Sequence, residues 1–142
     1  MPTNSESNIR LDHQIILDLI EPNAKVLDLG CGDATFLTDL CERNSRVRAH
    51  GLDISPEAIA AWQRKLAQKN LQDRVQLLVG DVFKIDALAE QLRGIEAATS
   101  IYVLHEFLTD SRDQILKLLR TFKSALPGVP LILCEVIRHT PE

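Results

Sequence analysis

The chain has 142 residues, of which 45% are apolar and 25% charged, with a net charge of −4; this suits one domain around one core. No segment collects lysine and arginine, which argues against a nucleic-acid backbone as the main partner. No apolar run is long enough to span a bilayer, and Met1 to Asn8 lack the basic start and apolar stretch of a secretory leader.

The first periodic segment runs from Ile9 to Ile20. It carries Leu11, Ile15, Ile16, Leu19 and Ile20 at helical spacing, and Glu21-Pro22-Asn23 stops it. Lys25 to Leu29 is a short apolar strand that runs into Gly30-Cys31-Gly32. A helix follows, marked by Phe36, Leu37, Leu40 and Cys41. Val47 to Leu52 is a second strand ending at Asp53. Ser55-Pro56-Glu57 then combines an N-cap serine, proline in the first helical position and a carboxylate in the positive first turn. That helix is expected to reach about Asn70, with Ile59, Trp62 and Leu66 on its core face.

Val75 to Val79 is a third strand, closed by Gly80-Asp81, and Ile85, Leu88, Ala89 and Leu92 predict another helix. A fourth strand is expected over Ala97 to Leu104. Ile115, Leu118, Leu119, Phe122 and Leu126 predict a long helix that Pro127-Gly128 ends, and Leu131 to Ile137 is a fifth strand. Strands that are apolar runs alternating with helices predict an α/β domain, a doubly wound parallel sheet covered on both faces.

Ligands of such sheets bind beyond the carboxyl ends of the strands, where strand order reverses. Three of those ends carry aspartate: Asp28 to Asp33, Asp53-Ile54 and Asp81-Val82; the fourth is the stretch Ser100 to Glu106. Gly30 and Gly32 allow a sharp turn and a close approach by a ligand. The third glycine of a dinucleotide turn is replaced by Thr35, and Asp28 and Asp33 make an unfavourable setting for a phosphate. A cationic ligand without phosphate suits this turn better. Asp53 can accept from two ribose hydroxyls or cap the following helix, and Asp81 can accept from an adenine amine or close a turn. The cysteines Cys31, Cys41 and Cys134 and the histidines His13, His50, His105 and His139 are scattered. Their spacing predicts neither a metal site nor a disulfide framework, and suits a cytoplasmic protein.

Val26 to Asp33, Gly51 to Ser55, Gly80 to Val82, Ser100 to Phe107 and Leu126 to Leu131 together resemble, in order, the motifs of the class I, Rossmann-like S-adenosylmethionine-dependent methyltransferases, small-molecule type. The resemblance covers about residues 9 to 137. It implies strand order 3-2-1-4-5 and the cofactor S-adenosylmethionine. The Gly30-Cys31-Gly32 backbone would cradle the methionine part, with Asp28 near its ammonium or the turn amides. Asp53 would hold the ribose, Ile54 would pack on the adenine, and Asp81 and Val82 would read its edge. Backbone around Ile101 and Tyr102 would complete the methionine pocket. Ala34 stands where many members have glycine.

A sulfonium is already a good leaving group, so the protein chiefly supplies proximity and an in-line approach. Where the acceptor must lose a proton, His105 and Glu106 are the best-placed bases, although His105 also fits a residue that orders the fourth crossover. The family sheet ordinarily continues after strand five with an antiparallel pair, so the single domain over residues 1–142 is expected to be truncated there. That would leave strand five as an edge able to pair with a second copy. The expected acceptor is a small organic or carrier-bound molecule. A non-catalytic module that needs a partner and, less favoured, a nicotinamide-dependent oxidoreductase are the competing functions.

Overall fold

In the computed structural model, residues 11–31, 35–101 and 112–135 are described. Five parallel strands form one sheet: β1 (Lys25–Leu29), β2 (Arg48–Asp53), β3 (Val75–Val79), β4 (Ala97–Ile101) and β5 (Leu131–Cys134). Their order is β3-β2-β1-β4-β5, the doubly wound α/β fold expected. Sequence neighbours β3 and β4 are separated in space by β2 and β1, so the reversal of strand order falls between β1 and β4.

The helices are α1 (Leu11–Asp18), α2 (Thr35–Arg43), α3 (Pro56–Gln68) and α4 (Arg112–Ala125). Ser55 caps α3 by accepting from the Ala58 amide at 3.2 Å, as its sequence predicts. The helix stops at Gln68 rather than at Asn70. Asn70 adopts φ +57°, a left-handed conformation that asparagine tolerates, and the Leu71 amide folds back onto the Leu66 carbonyl at 2.9 Å.

Each sheet face carries its own apolar cluster. Val26, Ala49, Leu37, Leu40, Ile59, Trp62 and Leu66 pack on one face. Leu27, Leu29, Leu52, Ile85, Ala98 and Phe122 pack on the other. Successive strand residues alternate between the two faces, so the strands are mostly apolar, with polar residues at the amino-terminal ends of β1 to β3 and around the point where strand order reverses.

Two expectations change. The first helix does not bury the stripe Leu11, Ile15, Leu19, which stays exposed; it buries His13, Ile16, Leu17 and Ile20. Its apolar residues lie on two sides, and α2 covers only one. His13 joins that covered side because Asp39 lies 3.3 Å from its Nδ1 and Phe36 meets its ring edge-on at 5.4 Å. The second change follows β3. The segment Val82–Leu88 is a 3₁₀-helix broken at Lys84 (φ −127°, ψ 29°), followed by turns, not an α-helix. The Asp81 side chain accepts from the Phe83 amide at 2.9 Å, and this local bond favours a tight turn over a helical continuation. The predicted last residues of strands four and five, 102–104 and 136–137, lie outside the described residues, and Glu135 is not part of β5.

Arg74 secures the connection between α2 and β2. Its guanidinium donates to the carbonyls of Cys41 at 2.8 Å, in the last turn of α2, and of Val47 at 2.9 Å and Asn44 in the connection that follows. Replacing Arg74 with methionine should lower the free energy of unfolding in urea by about 1.5–3 kcal/mol, the range for lost charge-assisted bonds, without moving the strand order.

Candidate functional site

The first turn is built on a buried carboxyl group. Asp28 lies within β1, and Thr99 of the neighbouring β4 donates its hydroxyl to Asp28 Oδ1 at 2.8 Å. Both side chains are buried. This bond crosses the one strand pair where order reverses, so it fixes the two lips of the crevice. Burial pushes the Asp28 carboxyl up to about 7, and the Thr99 hydrogen bond opposes that rise only in part.

Backbone bonds then chain the strand ends together. Gly30, at φ +65°, turns the chain so that the Gly30 and Cys31 amides both donate to the Leu52 carbonyl, at 2.8 and 3.1 Å. One strand further out, the Gly80 amide donates to the Asp53 carbonyl at 2.9 Å. The turns after β1, β2 and β3 therefore form one connected edge. Gly51 keeps this edge tight. A Cβ there would lie 2.7 Å from Leu37, 2.8 Å from Leu77 and 3.0 Å from the Cys31 sulfur. Cys31 is buried and packs into the space that Gly51 leaves.

At the end of β2, Asp53 accepts from the Ser55 amide through Oδ1 at 3.0 Å. Among the described residues its second oxygen has no partner. Beside it, Ile54 is 70% exposed, an apolar side chain standing in the open next to a carboxylate. Asp81 repeats the arrangement after β3. Its Oδ1 serves the Phe83 amide, and its other oxygen is unpartnered among the described residues. The cap and ligand roles of these aspartates are compatible, because each carboxylate has two oxygens.

Asp28, Gly30, Cys31, Asp53, Ile54, Asp81, Val82 and Ile101 thus come together along the carboxyl edge of the sheet. Val82 and Ile101 are partly buried against the two cores. Gly32 and Tyr102, and the candidate bases His105 and Glu106, lie outside the described residues. Sequence reasoning missed Thr99 as the partner of Asp28. Its one signal was the polar pair Thr99-Ser100 within a short strand that otherwise reads as apolar.

The sequence pattern of a family described as "Methyltransferase domain" matches residues 20–137. Ribosomal RNA small subunit methyltransferase C of Klebsiella pneumoniae is 28% identical over 118 residues, which are 82% of this chain and 32% of that protein. The carboxy-S-adenosyl-L-methionine synthase of Idiomarina loihiensis is 28% identical over 133 residues, 91% of this chain and 51% of its own length. The chain thus spans between about a third and a half of these relatives. Among solved structures, the mitomycin 7-O-methyltransferase MmcR superposes with a TM-score of 0.71 at 20% identity, over 92% of this chain and 37% of that one. An RNA methyltransferase from Salinibacter ruber, in complex with S-adenosyl-L-homocysteine, gives 0.68 at 18% identity, over 87% of this chain and 74% of that one. At such identities these two likenesses speak for the fold alone.

The buried Asp28 makes stability depend on pH. Its carboxyl group titrates at 3.8 in an unfolded chain and at about 7 when folded. The folded state therefore binds more protons between those values, and its stability falls as pH rises from about 4 to about 7, then levels off. Urea unfolding across this window should show that decline in wild type. Asp28→Asn should remove most of it; an unchanged slope would assign the pH dependence to other groups.

Proposed function

The chain belongs to the methyltransferase-domain family, the class I S-adenosylmethionine-dependent methyltransferases, and on that basis we propose that it binds S-adenosylmethionine along the carboxyl edge of its sheet and transfers the methyl group to a small organic or carrier-bound acceptor. The observation that carries this reading is the end of β2, where Asp53 keeps one oxygen open beside the exposed Ile54. A ribose with two neighbouring hydroxyls and an adjoining flat apolar base fits that pair of side chains.

Each described residue has a part. The Gly30-Cys31 backbone, without a Cβ at Gly30, lets the methionine portion lie close to the turn, and Gly32 would continue the cradle. Asp28 would lie behind the turn, near the ammonium or the turn amides. A positive charge brought there would lower its pKa and favour the ionised form. The open oxygen of Asp81 would accept from the adenine amine, with Val82 against the ring edge. Ile101 and Tyr102 would close the far side.

The bound cofactor supplies a methyl group on a sulfonium, so the protein's contribution is orientation and exclusion of water. For acceptors that must lose a proton, His105 and Glu106 are the proposed bases. The acceptor is taken to be small because the chain carries a net charge of −4 and no basic stripe that would neutralise phosphates. A relative named for ribosomal RNA weighs the other way, so RNA belongs in the acceptor panel. Among the described residues Cys31, Cys41 and Cys134 form no disulfide, which suits the cytoplasm, and no helix is long and apolar enough to cross a membrane. Among those residues β5 pairs only with β4, and its exposed Leu133 suits a homodimer through that edge.

The alternative, a cofactor-binding module without catalysis, is separated by activity. Calorimetric titration with S-adenosylmethionine and S-adenosylhomocysteine should give measurable binding. Asp53→Asn, which preserves the acceptor for the Ser55 amide, should weaken it by about 1–3 kcal/mol with little loss of stability. Full affinity in this variant would reduce Asp53 to a helix cap, and no heat from wild type would sink the cofactor reading. Transfer of a labelled methyl group to hydroxyl and amine acceptors, run beside ribosomal RNA, should favour the small molecules; labelling of RNA alone would overturn that choice.

A further inference from the structure

The opposite end of the sheet carries a second cleft. A parallel sheet sandwiched between crossovers is ordinarily apolar on both faces. On the face that holds Leu27 and Leu52, the amino-terminal ends of β1, β2 and β3 depart from that rule. Strand alternation and register (Lys25 beside Arg48, Leu27 beside His50, His50 beside Gln76) put Lys25, Arg48, His50 and Gln76 together there. The crossover that should cover them is the 3₁₀ segment and its following turns. It leaves an open cleft there with Glu90 and Gln91 on its rim, part of a groove of about 1040 Å³ that passes round the starts of β2 and β3 to Ala49, Leu66 and Val75 of the opposite face.

His50 is only 7% exposed, and its Nδ1 has no hydrogen-bond partner among the described residues. An orphaned ring nitrogen at that depth is costly unless something fills it. Burial first, and then the charge of Lys25, holds the imidazole below the ordinary histidine range, with Gln76 opposing. Gln76 makes a side-chain hydrogen bond to the ring, so Nδ1 is the nitrogen left open, and it offers an N–H or a lone pair according to the tautomer. A hydroxyl can complete either, because it both donates and accepts.

The charges around the ring favour an anion. Arg48 is exposed, and among the described residues its guanidinium makes no hydrogen bond or ion pair, the Arg48 amide alone donating to the Ala24 carbonyl. Lys25 donates one of its three N–H groups to the Arg93 carbonyl. Arg74 adds positive charge while its guanidinium serves backbone carbonyls. Of the acidic rim residues, Glu90 has both oxygens held by Arg93 at 3.0 Å, and Asp73 is exposed on the turn before β3.

We propose that this cleft is a second ligand site, distinct from the cofactor edge, which takes a small hydroxylated oxyanion: a phosphate or carboxylate group against Arg48 and Lys25, with a neighbouring hydroxyl on His50 Nδ1. The site lies at the amino-terminal end of the strands and shares no residue with the carboxyl-edge set, so it stands or falls independently of the proposed transfer reaction.

The full chain labelled with ¹⁵N-histidine tests this. The His50 ring resonances, identified by their loss in His50→Gln, are followed while glycerol 3-phosphate, glycerate or glycerol is added. Saturable shifts are expected with the two anions, with half-saturation at about 1 mM or below, and none with glycerol. The anion that binds more tightly identifies the head group. Arg48→Ala, at an exposed position and so safe for folding, should weaken anion binding by about tenfold or more and leave the affinity for S-adenosylhomocysteine unchanged. His50 resonances that ignore both anions, or an Arg48→Ala variant that binds them as wild type does, would overturn the proposal. If His50→Gln does not fold, Arg48→Ala still decides the matter by calorimetry with glycerol 3-phosphate.

Discussion

The hydrogen bond from Thr99 to Asp28 joins β1 to β4 at the one place where strand order reverses. A doubly wound sheet opens there because the crossovers on its two sides depart in opposite directions. Burying a carboxyl group at that point is costly, and the rise of its pKa to about 7 records the cost. What the fold gains is a defined separation between the two strands that flank the crevice. The Gly30 turn begins two residues later and inherits its position from that pair. From it the amides of Gly30 and Cys31 reach Leu52, and the Gly80 amide reaches Asp53. A disturbance at Asp28 would therefore travel along the whole carboxyl edge through contiguous bonded groups.

The two faces of the sheet are covered unequally, and this has consequences at its amino-terminal end. Helices α2 and α3 dock with full apolar stripes over Val26, Ala49 and Leu77. On the other face, α4 packs against the 3₁₀ segment through residues such as Phe122 and Ile85, but the segment is too short to cover the starts of β2 and β3. Polar side chains occupy those starts, where an α-helix would have demanded apolar ones. The turn-forming bond of Asp81 to the Phe83 amide thus lies between the carboxyl edge of the sheet and the open cleft around His50.

Asp53 and Asp81 show why a cap and a ligand group are poor alternatives. A carboxylate offers two oxygens. In each residue one accepts from a backbone amide two positions on, which restrains the side chain and leaves the other without a partner among the described residues. Preorganisation of this sort would spare a ligand bound there the entropy of ordering the side chain. The same logic holds at Gly51, where the absence of a side chain lets Cys31, Leu37 and Leu77 close under the turn.

Much of this was legible in the residues. Apolar runs alternating with helical periodicity fixed the fold class, and Ser55-Pro56-Glu57 marked the start of α3. The order of aspartates past the strands pointed to a cationic nucleoside ligand, since a residue that follows a strand of a parallel sheet lies at its carboxyl edge wherever the strand sits in the sheet. Tertiary structure alone decided the rest. The exposed stripe of α1 is set by which side α2 covers, a choice that period cannot express when both sides are apolar. Thr99 as the partner of Asp28 is a contact across 71 positions of chain, invisible to any local pattern. The orphaned nitrogen of His50 arises only when three strand ends and a short crossover meet. Motifs name the groups that can bind; the register of neighbouring strands determines which of them are buried, which are already satisfied, and which remain open to a ligand.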